Sequence, residues 1–277
     1  MFDARKRVIV FVLGASDPEM DLIERILRSL GYTVIYACFG IERVQPNTAY
    51  QATFPIVQSN QVWIECEPSS GFGNTQAVLI DHHKKGDPGY DCPPELYLEG
   101  SSIGQVHNFL QIEPNQDVLV AAAADHCLFE AYQGDCPGVH PLEVWEWQIT
   151  QTAFRHNLDR KMVENQLSEY EVLLASMNPT QFEPGFEAYI FPRPFEEFWR
   201  FLCWRDLCFS ERVAYIISIR ILDENGDRFK IGISGNVTPE FIRGFLTGTY
   251  FPSFSGERVG CPVRRYAWLL HKWIVDI

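Results

Sequence analysis

Residues 7–38, RVIVFVLGASDPEMDLIERILRSLGYTVIYAC, set the architecture of this chain. Arg7–Gly14 predicts a buried strand because it contains the apolar run VIVFVLG, and Met20–Leu30 then carries apolar residues at helical spacing. Gly31 ends that helix, and Val34–Cys38 is a second strand. A strand, a helix and a strand in this order predict a parallel sheet with right-handed crossovers. We therefore expect an α/β fold, with a parallel-sheet domain followed by a smaller α+β domain.

Further elements complete the first domain. Short apolar runs predict strands at Gln61–Ile64, Ala77–Ile80 and Asp117–Ala123. Helices are predicted at Ser101–Leu110, with a serine N-cap, at Asp125–Tyr132 and along the amphipathic stretch Pro141–Met177. Residues 179–194 are rich in proline, phenylalanine and glutamate, which is typical of a boundary. We divide the chain into domains 1–185 and 186–277.

The second domain has a different pattern. Val213–Leu222 alternates as a strand, Asn225-Gly226 is a hairpin turn, and Arg228–Ser234 is the return strand. Thr238–Leu246 predicts a short helix with proline in its first turn, and Arg264–Val275 is a final apolar element. These elements predict a small α+β domain.

Composition excludes several classes of protein. The formal net charge of −13 disfavours long duplex nucleic acid as a partner, because that partner needs a broad basic surface. A small phosphorylated substrate is compatible with this negative charge, because a bound cation reverses the local field of an acidic site. No apolar run reaches about 18 residues, so we expect no membrane span. With no signal peptide and eight cysteines lacking a C-x-x-C pair, we expect reduced thiols in the cytoplasm, mostly as small core residues.

The chemical signals lie where predicted strands end. Asp81-His82-His83 follows the strand AVLI, and one carboxylate with two imidazoles can bind a divalent metal. By itself this triplet also fits a hydrogen-bonded loop. Three other strands are followed by acids, namely Glu19 and Asp21, Glu65 and Glu67, and Asp125 with His126. Taken singly, Asp17 and Asp125 fit helix N-caps and the glutamates fit solvated loops. Together, converging carboxylates need a cation to stay ionised.

This order of residues resembles the DHH phosphoesterase superfamily over about residues 7–135. Its first-motif turn falls on Pro18-Glu19-Met20-Asp21, its second-motif acid on Glu65, its triplet on Asp81, His82 and His83, and its fourth-motif acid on Asp125. The resemblance implies a hydrolase that uses Mn²⁺ or Mg²⁺, with two ions bridged by Asp81 and an activated water attacking the phosphorus. It implies that the metal ligands are Glu19, Asp21, Glu65, Asp81, His82 and Asp125. It also implies that Asp81, His82 and His83 take part in catalysis, and that His83 contacts the phosphate or the leaving group.

The chain departs from the family pattern at three positions. Ala15 stands where the first-motif histidine falls, and Glu19 and Glu65 replace aspartates. Either Asp17 or His126 substitutes for the missing histidine, or one metal position is weakened or lost. We therefore keep three hypotheses. The first is a metal-dependent phosphoesterase acting on a short oligonucleotide, a cyclic nucleotide or a related small substrate. The second is a non-catalytic nucleotide-binding or interaction protein of the same fold. The third is a structural or interaction protein that uses the aromatic residues of its second domain as a partner surface, although core packing explains those aromatics equally well.

Substrate contacts are predicted from both domains. The helix that starts at Ser101 and Ser102 offers free N–H groups to an anion, although an ordinary N-cap explains the serines equally well. By loose resemblance to the substrate-binding domain of the family, Arg243, Arg264 and Arg265 are candidates in 186–277, while surface arginine is the plain alternative. We expect a small anionic phosphorylated substrate, allow for a homodimer, and expect neither a membrane nor long duplex nucleic acid as a partner.

Overall fold

The structure is a computed structural model that describes residues 9–182, 186–191, 214–223, 226–234, 266–268 and 272–276. Its strands are β1 Val10–Leu13, β2 Thr33–Tyr36, β3 Cys38–Phe39, β4 Glu42–Arg43, β5 Gln61–Ile64, β6 Val78–Ile80, β7 Thr180–Phe182, β8 Phe186–Phe191, β9 Ala214–Asp223, β10 Gly226–Ser234, β11 Tyr266–Trp268 and β12 Lys272–Asp276. Its helices are α1 Pro18–Ser29, α2 Tyr97–Gly100, α3 Ser102–Leu110, α4 Gln116–His126, α5 Leu128–Gln133, α6 Pro141–Arg155 and α7 Arg160–Ser176.

A parallel four-stranded sheet organises the first part of the chain, in the order β2-β1-β5-β6. The register aligns Leu13 with Ile64 and Ile64 with Ile80, so three strands end side by side. β5 is buried along its whole length, as are the last three residues of β1, which explains why these strands are apolar without alternation except at Gln61. The predicted α/β class is confirmed.

Helix α1 begins where the sequence places a cap and a proline. The Asp17 carboxylate accepts a hydrogen bond from the Met20 amide at 2.7 Å, and Pro18 opens the first turn. Met20, Ile23 and Leu27 are buried, which is the spacing expected of a helix face that packs on a sheet. The N-cap interpretation of Asp17 is therefore confirmed.

The strand predicted at Asp117–Ala123 is wrong, because these residues lie in helix α4. The Asn115 side chain caps the helix by accepting from the Val118 amide, and a run of four alanines at 121–124 continues it. The apolar stretch is buried on nearly all sides, so its periodicity does not separate a helix from a strand. The next helix also starts later than predicted, at Leu128, and Asp125 consequently lies in the last turn of α4 rather than beyond a strand.

The remaining residues form a second unit of structure. The chain divides into two compact units, Met1–His140 and Pro141–Ile277, and the predicted boundary near residue 185 stays a prediction. Helices α6 and α7 confirm the helical pattern of 141–177. After them, the residues that the structure describes form six strands in the order β11-β12-β10-β9-β8-β7, with β8 and β9 parallel and the other pairs antiparallel.

Several predictions about the second unit concern residues that lie partly or wholly outside the described ranges. Strands β9 and β10 pair as the predicted hairpin, with Asp223 opposite Gly226, whereas Asn225 of its turn lies outside the described residues. So does the helix predicted at Thr238–Leu246. Among the helices that the structure describes, none has the length and apolar character needed to cross a membrane.

Candidate metal centre

The C-terminal ends of the aligned strands carry the candidate site. Gly14 follows β1, Glu65 follows β5 and Asp81 follows β6, so the three lie next to one another along one sheet edge. Hydrogen bonds continue the ladder into this row: the Gly14 amide donates to Ile64 O and the Glu65 amide donates to Ile80 O, each at 2.9 Å. The sheet thus places the DHH triplet beside Glu65, as expected for parallel strands.

Four predicted ligands converge above this edge. Glu19, Glu65, His82 and Asp125 each offer one donor atom, and these atoms all lie within 4.8 Å of one another. Glu65 and His82 also form a second group of this kind with His83. Three carboxylates and one imidazole at this spacing fit the coordination shell of one divalent cation.

The buried atoms of this group give an independent test of the fit. Glu19, Glu65 and His82 are 1%, 6% and 0% exposed, yet Glu19 Oε2, Glu65 Oε1 and His82 Nε2 make no hydrogen bond with the described part of the chain. His82 Nε2 lies 3.2 Å from Asp125 Oδ2 and 3.9 Å from Glu65 Oε1. Buried polar atoms in proteins are nearly always paired, so two carboxylate oxygens without a hydrogen bond, beside the contact between His82 and Asp125, fit a cation.

The electrostatics of the group point the same way. Burial raises the pKa of Glu19 well above its ordinary value, and the neighbouring Asp125 and Glu65 raise it further. Burial also raises the pKa of Asp17, again with help from Glu65 and Asp125. Burial alone would raise the pKa of Asp125, but its contacts with the histidines, His82 first, lower it instead. A cation at this point would relieve the repulsion between the carboxylates.

We expect Glu19→Gln to stabilise the metal-free protein, and increasingly so as pH rises. The folded pKa of Glu19 is raised above the ordinary 4.5, so the stability that it contributes is complete below that value and is lost as pH rises through the folded pKa. Urea unfolding of both proteins in chelator, at several values between about pH 5 and pH 8, measures the difference. The exposed Glu95→Gln serves as control. A difference that stays constant with pH would show that Glu19 carries no unfavourable charge.

Asp81 and His83 are bound to each other rather than to the four-residue group. Asp81 Oδ1 accepts from the backbone amides of His82 and His83 and lies 2.8 Å from His83 Nδ1, while Oδ2 accepts from the Tyr50 hydroxyl at 3.2 Å. Burial works against charge in both residues, yet the pair lowers the pKa of Asp81, and Glu65, Asp81 and Asp125 raise the pKa of His83 to about 10. Asp81 therefore fixes the triplet loop, and its role as a bridging ligand stays a prediction.

Glu65 is held in an unusual backbone conformation. Its φ is +51°, in the left-handed region that residues with a Cβ seldom adopt, and its carbonyl lies against Gly14. A Cβ at Gly14 would come within 2.4 Å of that carbonyl oxygen. Gly14 is therefore explained by the close passage of the Glu65 backbone, and a strained residue at a site of this kind fits a functional role.

The other predicted site residues lie in different surroundings. The Asp21 carboxylate accepts from Ser16 Oγ at 2.8 Å and belongs to neither group of ligands. Ser101 caps α3 by accepting from the Gly104 amide, and the Ile103 amide of the same turn donates to Glu19 Oε1 at 2.9 Å. The N-terminus of α3 thus orients a carboxylate of the chain itself, and substrate binding by Ser101 and Ser102 stays a prediction. Arg243, Arg264 and Arg265 lie outside the described residues.

Two residues near the metal centre, His126 and Tyr50, make contacts with the DHH triplet that the sequence did not predict. His126 was considered only as a substitute ligand, but its Nδ1 lies 3.1 Å from His82 Nδ1 and its Nε2 lies 2.9 Å from Cys92 O. Burial lowers the pKa of His126. Tyr50 has no sequence signal, because it lies in a single 3-10 turn before β5, Ala49–Gln51, and reaches Asp81 only through the fold.

Comparison with known proteins adds little to this geometry. No family model matches the chain, and no curated protein matches it. Among solved structures, the pGpG-specific phosphodiesterase PggH from Vibrio cholerae is similar over 98% of this chain and 93% of its own length, with 9% sequence identity and a TM-score of 0.35. A TM-score this low does not establish a common fold, so conclusions about function rest on the site itself.

Proposed function

We propose that this protein is a metal-dependent phosphoesterase that hydrolyses a small phosphorylated substrate, such as a short oligonucleotide or a cyclic nucleotide. The observation that carries the proposal is the convergence of Glu19, Glu65, His82 and Asp125, in which buried oxygens of Glu19 and Glu65 have no hydrogen bond with the described residues. That arrangement is unfavourable without a cation and favourable with one. The resemblance of the motif order to DHH phosphoesterases supplies the reaction class.

The four-residue group would hold the ion, and its chemistry narrows the choice of metal. Carboxylate ligands suit Mg²⁺ and Mn²⁺, and the added imidazole of His82 favours Mn²⁺ of the two. When bound, the ion would polarise a phosphoryl oxygen and lower the pKa of a water molecule. No cysteine joins either group among the described residues, which disfavours a thiolate metal site.

The remaining residues of the centre would bind and orient an anionic substrate. In the metal-free protein, Glu65, Asp81 and Asp125 raise the pKa of His83 to about 10. The contact with Asp81 Oδ1 fixes the His83 ring, which would then meet a phosphoryl group or a leaving oxygen in one orientation. The net charge of −13 disfavours long polyanions, which supports a small substrate.

Hydrolysis of a simple phosphodiester tests this function. Purified full chain should release p-nitrophenol from bis(p-nitrophenyl) phosphate, and cleave a dinucleotide, in Mn²⁺ but not in chelator. Asp125→Asn should lose at least about a hundredfold in rate, the scale expected when a metal ligand is removed. Asp117→Asn, an exposed acid in the first turn of the same helix, is the matched control and should keep the wild-type rate. Equal rates for wild type and Asp125→Asn across several metals would refute the proposal.

A non-catalytic nucleotide-binding protein is the second candidate, and one observation favours it. Ala15 is buried and offers no ligand at the position where the family has a histidine, and Asp21 does not join the ligand groups. One ion without its partner would bind a phosphate more readily than it would cleave it. Stabilisation of the Mn²⁺-loaded protein by a nucleotide, without turnover, would support this candidate, and measured turnover would exclude it.

A further inference from the structure

We propose that His126 is a positioning residue that fixes the His82 imidazole so that Nε2 is the atom available to a cation. The chain of contacts runs from Cys92 O to His126 Nε2 at 2.9 Å, and from His126 Nδ1 to His82 Nδ1 at 3.1 Å. This inference rests on the metal centre of the proposed function and adds to it a residue that holds a ligand without being one.

The direction of each hydrogen bond follows from the chemistry of the three groups. A backbone carbonyl only accepts, so His126 Nε2 must carry the hydrogen that bonds to Cys92 O. A cation on His82 Nε2 would leave the one ring hydrogen of His82 on Nδ1, so His126 Nδ1, 3.1 Å away, would accept it. His82 Nδ1 is therefore the donor in the contact between the two rings. Its Nε2 is then the ring nitrogen left for a metal, and it lies 3.2 Å from Asp125 Oδ2 and 3.9 Å from Glu65 Oε1.

The fold also provides a fitted place for the His126 ring. A Cβ on Gly100 would come within 2.6 Å of both Cε1 and Nε2 of His126 and within 2.8 Å of Cys92 Cβ. The His82 and His126 rings are stacked, with centroids 5.2 Å apart and planes inclined by 28°. The ring thus lies between the backbone of α2 and the metal-facing histidine, and a glycine at residue 100 is needed for this arrangement.

An isosteric pair of variants separates positioning from packing. His126→Leu removes the acceptor, whereas His126→Asn keeps Oδ1 at the position of Nδ1 with nearly the same shape as leucine. Manganese affinity of the full chain, measured by titration calorimetry, should fall about 10- to 100-fold in His126→Leu and stay close to wild type in His126→Asn. Gly100→Ala, which keeps both imidazoles but displaces the His126 ring, should weaken binding like His126→Leu and covers the case in which the leucine variant does not fold.

The controls make each outcome decisive. His107→Leu removes another buried histidine, one that contacts Ile112 O rather than a ligand, and should lower the thermal midpoint without changing manganese affinity. Equal losses in His126→Leu and His126→Asn would show a packing role and overturn the inference, as would unchanged affinity in His126→Leu and Gly100→Ala. Wild type that binds manganese but hydrolyses no phosphoester would refute the proposed function alone. Wild type that binds no divalent ion would refute both.

Discussion

Glu65→Gln is expected to weaken manganese binding by at least about a hundredfold, more than the loss of an outer hydrogen-bond partner costs. Glu65 belongs to both groups of candidate ligands, so the substitution removes a negative charge from every arrangement that the centre offers to a cation. The amide is nearly isosteric with the carboxylate, and the change therefore tests charge and ligand strength rather than shape.

The same variant should be more stable than wild type when metal is absent. Glu65 Oε1 is buried without a hydrogen bond to the described residues, and an amide at this position could donate to a neighbouring carboxylate. We expect the free energy of unfolding in chelator to rise by about 1–2 kcal/mol, the scale of one buried unsatisfied polar group. Manganese should then stabilise wild type and leave the variant nearly unchanged.

Glu67→Gln is the matched control for this experiment. Glu67 lies two residues further on and forms a partly exposed ion pair with Lys84, and its substitution removes the same charge. The manganese affinity of Glu67→Gln should equal that of wild type, and its free energy of unfolding should change by less than about 1 kcal/mol, because solvent screens a pair of this kind. If both variants lose affinity equally, the general negative field binds the ion and Glu65 is not a ligand.

Gly14→Ala has the second large expected effect, a loss of about 3 kcal/mol or more in the free energy of unfolding. The added Cβ would meet Glu65 O at 2.4 Å, and Glu65 C and Ile64 O at 3.0 Å. All three are backbone atoms at the end of a central strand, so no side chain can move aside. Relief requires Glu65 to shift, and we expect manganese affinity to fall together with stability.

Gly31→Ala separates this steric effect from the ordinary consequence of replacing a glycine. Gly31 follows helix α1 with φ at +81°, and an added Cβ there would meet nothing within 4 Å. In Gly31→Ala the left-handed conformation alone should lower the free energy of unfolding by about 1–2 kcal/mol and leave the manganese affinity unchanged. Urea unfolding and manganese titration of both variants check the difference. Similar losses of stability would mean that the backbones at Gly14 and Glu65 are not in close contact.

Prediction from sequence succeeded where the determining interactions are local. The strand at Gln61–Ile64 and the serine-capped helix after Ser101 were located almost to the residue, because strand patterns and caps involve neighbours in sequence. The same approach was wrong for α4, since a short apolar run rich in alanine has no periodicity that distinguishes a buried helix from a buried strand. Asp125 nevertheless reaches the centre, carried there by a helix end.

The amino-acid sequence by itself determined that strands alternate with helices and that acids and the triplet follow strand ends, because hydrophobic spacing and turn chemistry operate over a few residues. Only the tertiary structure decided which acids share a point in space: Glu19 reaches it through a hydrogen bond to Ile103, 84 residues away, while Asp21 does not join the group. It also decided that His126 faces His82 across 44 residues of chain. Such contacts depend on strand register and helix packing, which sequence periodicity does not specify.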